Sequence, residues 1–165
     1  KSTLIDPWKS HILDSLQISS FIPKKNCSIL DLGTGPGIPG LVLAMYDFTN
    51  VSLVDSNLKK ISFVKTVCSK LNIKAKIYRK RIEMLTHIKS DFLISRALAN
   101  LNKLFFYSQN FLTEKTVLIF LKGKTVKKEI ADAQKIWKFQ YKLKQSLSDK
   151  RGRIVVVRCL KKINV

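Results

Sequence analysis

The chain has 165 residues and 45% hydrophobic content, enough for one domain with a sizeable core. Lysine and arginine number 31 against 11 acids, a formal charge of +20, which points to a polyanionic partner: RNA, DNA or an anionic membrane surface. No apolar run approaches the ~20 residues of a membrane span, and three dispersed cysteines, Cys27, Cys68 and Cys159, argue against a disulfide framework or zinc site and for a reducing compartment, the cytoplasm.

Residues 1–27 read as an entry segment. It starts at Lys1 rather than Met and shows no secretory pattern, so it reads as shortened at its start. Asp6-Pro7 supplies an N-cap and a proline at the first helical position. Trp8, Ile12, Leu13 and Leu16 then recur at helical spacing, which predicts one face packed on the core. His11 lies near that face; a packed or helix-supporting role competes there with a substrate contact, because no neighbour in sequence partners it for proton transfer. Ser19–Asn26, containing Pro23, reads as a loop.

From Ser28 onward strands and helices alternate. Ser28–Leu32, Val51–Asp55, Ala75–Tyr78, Phe92–Ser95 and Val117–Leu121 read as strands, several of them near-continuous apolar runs of the kind a parallel sheet buries on both faces. Helical stripes lie between and after them: Ile61, Val64, Cys68 and Leu71; Leu101, Leu104 and Phe105; Val126, Ile130, Ala133 and Trp137. Tyr141–Leu147 and Arg153–Leu160 flank Ser148-Asp149-Lys150-Arg151-Gly152 as a hairpin. The pattern is a single α/β domain over 1–165, a mostly parallel doubly wound sheet over 28–165 that ends in antiparallel strands.

The first strand ends in Asp31-Leu32-Gly33-Thr34-Gly35-Pro36-Gly37-Ile38-Pro39-Gly40, with a helix starting near Ile38. Ligands of such sheets sit beyond the strand carboxyl ends, so this glycine turn is the candidate site. Gly35-x-Gly37-x-x-Gly40 fits a dinucleotide fingerprint, but a pyrophosphate needs backbone N–H groups that Pro36 and Pro39 lack, and Asp31 would repel it. A carboxylate there suits a cofactor carrying an ammonium and a sulfonium, S-adenosylmethionine. Asp55, about 20 residues on, sits where an acid accepts from ribose hydroxyls. Arg81-Ile82-Glu83, past the third strand, is where an adenine would lie, with Ile82 covering the ring.

The turn resembles the motif of the glucose-inhibited division protein B family, the small-subunit ribosomal RNA guanine-N7 methyltransferases of bacteria. Further matches follow in order: His11-Ile12-Leu13-Asp14-Ser15-Leu16, Leu53-Val54-Asp55-Ser56, Arg81-Ile82-Glu83, Ser95-Arg96-Ala97 and Leu121-Lys122-Gly123, so the resemblance spans essentially the whole chain. It implies a Rossmann-like class I S-adenosylmethionine-dependent methyltransferase fold, with cofactor contacts at Gly33, Ile38, Ile82, Glu83 and Arg96. Together with the residue reading, the expected cofactor set is Asp31, Gly33, Gly35, Gly37, Ile38, Asp55, Ser56, Ile82, Glu83 and Arg96. The expected partner is small-subunit ribosomal RNA or the subunit itself, bound by a monomer. The family usually carries an extra N-terminal helical stretch, most of which is expected to be missing before Lys1.

No cysteine falls near the fourth or fifth strand end, where a base-carbon methyltransferase would need a nucleophile, and Ser95-Arg96-Ala97-Leu98 lacks the acidic-or-Asn and double-proline signature of exocyclic-amine enzymes. Guanine N7 carries a free lone pair, so its methylation needs positioning rather than a base or nucleophile. Arg96 and Lys122, both just past strand carboxyl ends, are the candidates for holding the guanine or its phosphates. A solvated loop role for Lys122, and an ion pair of Arg96 with Glu83 or Asp31, are the competing readings. At the level of function, a catalytically silent RNA-binding or ribosome-binding module on the same fold is the alternative; an NAD-dependent oxidoreductase is disfavoured by the prolines and Asp31.

Overall fold

The computed structural model describes residues 8–163. Seven strands make one sheet: β1 (Ile29–Leu32), β2 (Val51–Val54), β3 (Lys76–Tyr78), β4 (Phe92–Arg96), β5 (Val117–Lys122), β6 (Trp137–Gln145) and β7 (Arg153–Lys162). Their order is β3-β2-β1-β4-β5-β7-β6; the first five are parallel, and β7 pairs antiparallel with both β5 and β6. Parallel neighbours require crossovers, which α2 (Gly40–Met45), α3 (Leu58–Lys70) and α4 (Leu101–Ser108) help to make; α5 (Val126–Gln134) leads into the hairpin. The entry segment is a π-helical turn (Trp8–Leu13), a short α1 (Asp14–Gln17) and a 3-10 turn (Ile18–Phe21).

The two-residue period of the strands sorts the core into two layers. Leu30, Leu93, Leu118, Phe120, Val155 and Val157 join Leu104, Phe105 and Ile130 of α4 and α5 on one face. Ile29, Leu53, Ile94, Ile119 and Ile154 join Leu41, Val64 and Ile18 on the other. Asn57 and Asn100 cap α3 and α4 by accepting from the N–H groups of Lys60 and Lys103, which fixes where both helices start.

Three expectations shift. Trp137 opens β6 instead of closing the last helix, and its ring packs edge-on against Phe105, 5.9 Å between centroids. It follows Ala133 by four residues, a spacing a helix would share, but β7 is ten residues long and draws its partner strand back to that point. Leu71 lies beyond the end of α3 and is exposed. In the entry segment Ile12, Leu13 and Leu16 are only half-buried, whereas Ser15 and Ile18 are fully enclosed. The Asp6-Pro7 helix start lies outside the described residues, as does the side chain of Trp8.

Candidate cofactor and substrate site

The strands after β1 are added on one side as far as β3 and on the other from β4 onward, and a cavity of about 560 Å³ opens beyond the carboxyl ends of β1 and β4. Its size and position suit a small-molecule ligand. Gly33, Thr34, Gly35, Pro36 and Ile38 form one wall, Asp55 and Lys60 the β2 side, Arg96, Ala97 and Leu98 the β4 side, and His11 the rim.

The turn is held by its own backbone donors. Thr34 N–H donates to Val54 O at 2.8 Å, Gly37 and Ile38 N–H both donate to Thr34 O, and Gly40 N–H donates to Asp31 Oδ2 at 2.8 Å. Gly35 N–H donates to Asp55 Oδ2 at 2.9 Å. Gly35 needs its glycine: φ is +59°, and a Cβ there would meet nothing within 4 Å, so the backbone itself faces open space. At Gly40 the constraint is contact instead, since a Cβ would stand 2.5 Å from Leu53 Cδ2 and 2.7 Å from Asp31 Oδ2.

Asp31 is fully buried beneath this turn and does not line the cavity, although a place facing the cofactor was expected of it. Its Oδ2 accepts from Thr34 Oγ1 at 2.6 Å as well as from Gly40; its Oδ1 is buried without a hydrogen-bond partner among the described residues. Burial pushes the carboxyl up to about 7, against the pull of the two hydrogen bonds. Asp55 is half-buried on the wall, with Oδ1 accepting from Asn57 N–H at 2.8 Å. Each of its oxygens keeps a second lone pair for a ligand. Gly37 is buried behind Ile38; Ser56 is exposed outside the wall. Ile82 is buried in the core layer of α4 and α5, and Glu83 is exposed; neither borders the cavity.

Arg96 is on the wall, but its partners are new. Its guanidinium meets His11 Nδ1 at 2.6 Å and Asp14 Oδ2 at 4.0 Å, not Glu83 or Asp31. His11, for which a packed or helix-supporting role competed with a substrate contact, is exposed and joins the rim, through a partner 85 residues away. Lys122 is not on the wall. Its ammonium donates to Ala99 O and pairs with Glu129 Oε2, both at 2.7 Å, with the side chain 9% exposed. That partnership replaces the solvated-loop reading and competes with a substrate contact. Lys60, Ala97 and Leu98 reach the wall although none was among the expected site residues. Lys60 is one lysine among many, and Ala97, already inside the Ser95-Arg96-Ala97 match, takes φ of +53°, a strained conformation at the strand exit.

A family model described as rRNA small subunit methyltransferase G, GidB, matches residues 2–156. The ribosomal RNA small subunit methyltransferase G of Rickettsia prowazekii (strain Madrid E) is 37% identical over 162 residues, spanning 98% of this chain and 84% of that protein. Its counterpart in Rickettsia bellii (strain OSU 85-389) is 35% identical over 156 residues, 94% and 80% of the two chains. Among solved structures, an MtNAS variant in complex with S-adenosylmethionine superposes with a TM-score of 0.70 at 15% identity, over 89% of this chain and 61% of that one. TehB from Haemophilus influenzae gives 0.63 at 17% identity, over 88% and 61%.

Proposed function

Because the chain belongs to the GidB family, rRNA small subunit methyltransferase G, we propose that it moves a methyl group from S-adenosylmethionine to N7 of a guanine in small-subunit ribosomal RNA. The fold is that of class I S-adenosylmethionine-dependent methyltransferases. No described helix is long and apolar enough to cross a membrane.

The observation that carries the cofactor reading is the state of the turn's N–H groups. Those of residues 34, 35, 37, 38 and 40 are all engaged inside the protein, and Pro36 and Pro39 have none. A phosphate would find few donors here, whereas a nucleoside with hydroxyls finds the free lone pairs of Asp55. The residues therefore fit a phosphate-free nucleoside cofactor. Gly33, Gly35 and Ile38 would hold its methionine end over the buried Asp31, and Asp55 its ribose; Ser56 and Ile82-Glu83 lie off the cavity wall, so the ribose edge and the adenine would have to extend past it to reach them. S-adenosylmethionine, when bound, supplies a methyl group already activated on a sulfonium.

The protein's share is then alignment and exclusion of water. N7 needs no proton removed. Cys27, Cys68 and Cys159 all lie off the cavity wall, so no thiol is placed to add to a base carbon. Arg96, oriented by its hydrogen bond to His11 with Asp14 Oδ2 4.0 Å away, keeps further N–H donors suited to guanine O6 or a phosphate. Mass spectrometry of nucleosides from small-subunit RNA incubated with the protein and methyl donor tests this. 7-Methylguanosine is the expected product. Tight cofactor and RNA binding with no methylated nucleoside would replace the proposal with a silent binding module.

A further inference from the structure

β6 is an edge strand whose side chains divide cleanly. Trp137, Phe139 and Leu143 pack into the core layer of α4 and α5. The alternate residues Lys138, Gln140, Lys142 and Lys144 point to the opposite face and are all exposed. β7 adds Arg158 opposite Gln140 and Lys161 opposite Lys138, both exposed. Neither strand contains an acidic residue. Among the described residues, none of these cations takes part in an ion pair; Lys144 only lies 5.3 Å from the Phe21 ring centroid.

Lys138 and Lys161 stand directly opposite each other, a destabilising like-charge pair, and Lys142, Lys144 and Arg158 crowd the same face with no acid on either strand between them. Edge lysines often serve to block strand addition, but Arg158 belongs to an inner strand. Register ties the row to the site: Lys144 pairs with Ile154, Ile154 with Leu121, and Leu121 with Arg96. Three strand spacings, about 15 Å, therefore separate Lys144 from Arg96 at one level of the sheet. Ile154 and Leu121 share one core layer with Ile94, so the alternation puts Arg96 on the face that carries Lys144. From Lys138 to Lys144 the row runs about 20 Å toward the cavity end.

We infer that Lys138, Lys142, Lys144 and Arg158 form a track for the phosphate backbone of the substrate RNA, leading it to Arg96 and the cavity. This rests on the RNA-methyltransferase reading and assigns its docking surface. Protein-free small-subunit RNA is the probe, titrated by filter binding between 50 and 200 mM salt. The quadruple variant Lys138→Gln, Lys142→Gln, Lys144→Gln, Arg158→Gln is compared with a charge-matched control, Lys65→Gln, Lys70→Gln, Lys74→Gln, Lys127→Gln. Four lost phosphate contacts reduce the loss of affinity across that range by roughly 50-fold in the track variant, with the control close to the parent chain. Each single track variant, too mild to threaten the fold, takes a share of the salt slope. Equal losses in both quadruple variants, or an unchanged track variant, overturn the proposal. Methyl transfer by the parent chain is assayed alongside. An inactive parent that binds RNA through the track overturns the catalytic reading alone; an active parent with an unaffected track variant overturns the track alone.

Discussion

The Arg96 guanidinium donates to Nδ1 of His11 at 2.6 Å, bridging the exit of β4 to the entry segment. A guanidinium has no acceptor, so this contact requires the imidazole nitrogen facing it to be unprotonated. This contact orients Arg96 on the cavity wall, and Asp14 Oδ2, 4.0 Å from the same guanidinium, adds a charge attraction. His11→Ala should lower kcat/KM for RNA methylation about threefold to tenfold, the scale of one ordinary hydrogen bond, since solvent at this exposed rim screens the charge. Cofactor affinity should change less. Arg96→Lys keeps the charge but cannot fork between two partners, and should fail to restore the rate. Steady-state kinetics at varied RNA concentration decides this, and wild-type kinetics in His11→Ala would separate the contact from function.

Asp55 has two duties, pinning Gly35 N–H and offering lone pairs to the cavity. Asp55→Ala should weaken S-adenosylmethionine binding by about 1–3 kcal/mol, the cost of unmatched polar groups. Asp55→Asn retains one acceptor oxygen and should fall between. Isothermal titration gives the comparison; equal dissociation constants for all three chains would move the ribose elsewhere.

Gly40 and Gly123 predict opposite outcomes for one methyl group. At Gly40 a Cβ collides with Leu53 and Asp31; at Gly123 it meets nothing within 4 Å. Gly40→Ala should cost about 1–3 kcal/mol of stability, as overpacking does. Gly123→Ala should stay within about 0.5 kcal/mol of the parent. Urea denaturation midpoints read both.

The strands were legible because burial on both faces leaves apolar runs such as Val117–Leu121 that few other structures tolerate. The glycine turn was legible because its backbone conformation limits which residues can occupy it. The pairing of His11 with Arg96 was not, because nothing local marks two residues 85 positions apart as neighbours. Charge misled in a related way. With 31 lysines and arginines, the sequence gives no address to any one of them; Lys60 reached the cavity wall while Lys122, beside a strand end, went to Glu129.

That exchange has its own test. Glu129 also accepts from Leu101 N–H and Thr125 Oγ1, so Lys122 neutralises a carboxylate that ties the start of α4 to α5. Removing one partner of a largely buried pair strands the other. Lys122→Met should destabilise the fold by an amount at the lower end of about 3–5 kcal/mol. The salt slope of RNA binding should be unaffected where the variant is folded. A stable variant with weakened RNA binding would return Lys122 to the substrate.

Asp31 gives the stability of the whole domain a pH dependence of unusual sign. Its carboxyl is raised from an ordinary 3.8 to about 7 by burial. Between those values the unfolded chain has released the proton and the folded chain still holds it. The unfolded state then binds fewer protons, and stability falls as pH rises from about 4 to 7. The shift corresponds to roughly 4 kcal/mol across the window. Asp31→Asn keeps an acceptor oxygen for Gly40 N–H and Thr34 Oγ1 but has no proton to lose. The difference in unfolding free energy between variant and parent, measured in urea at pH 4.5 and 7.5, cancels the other titrating groups. It should move in favour of the variant by a few kcal/mol as the pH is raised. A constant difference would mean that Asp31 ionises in the folded chain as freely as it does in the unfolded one.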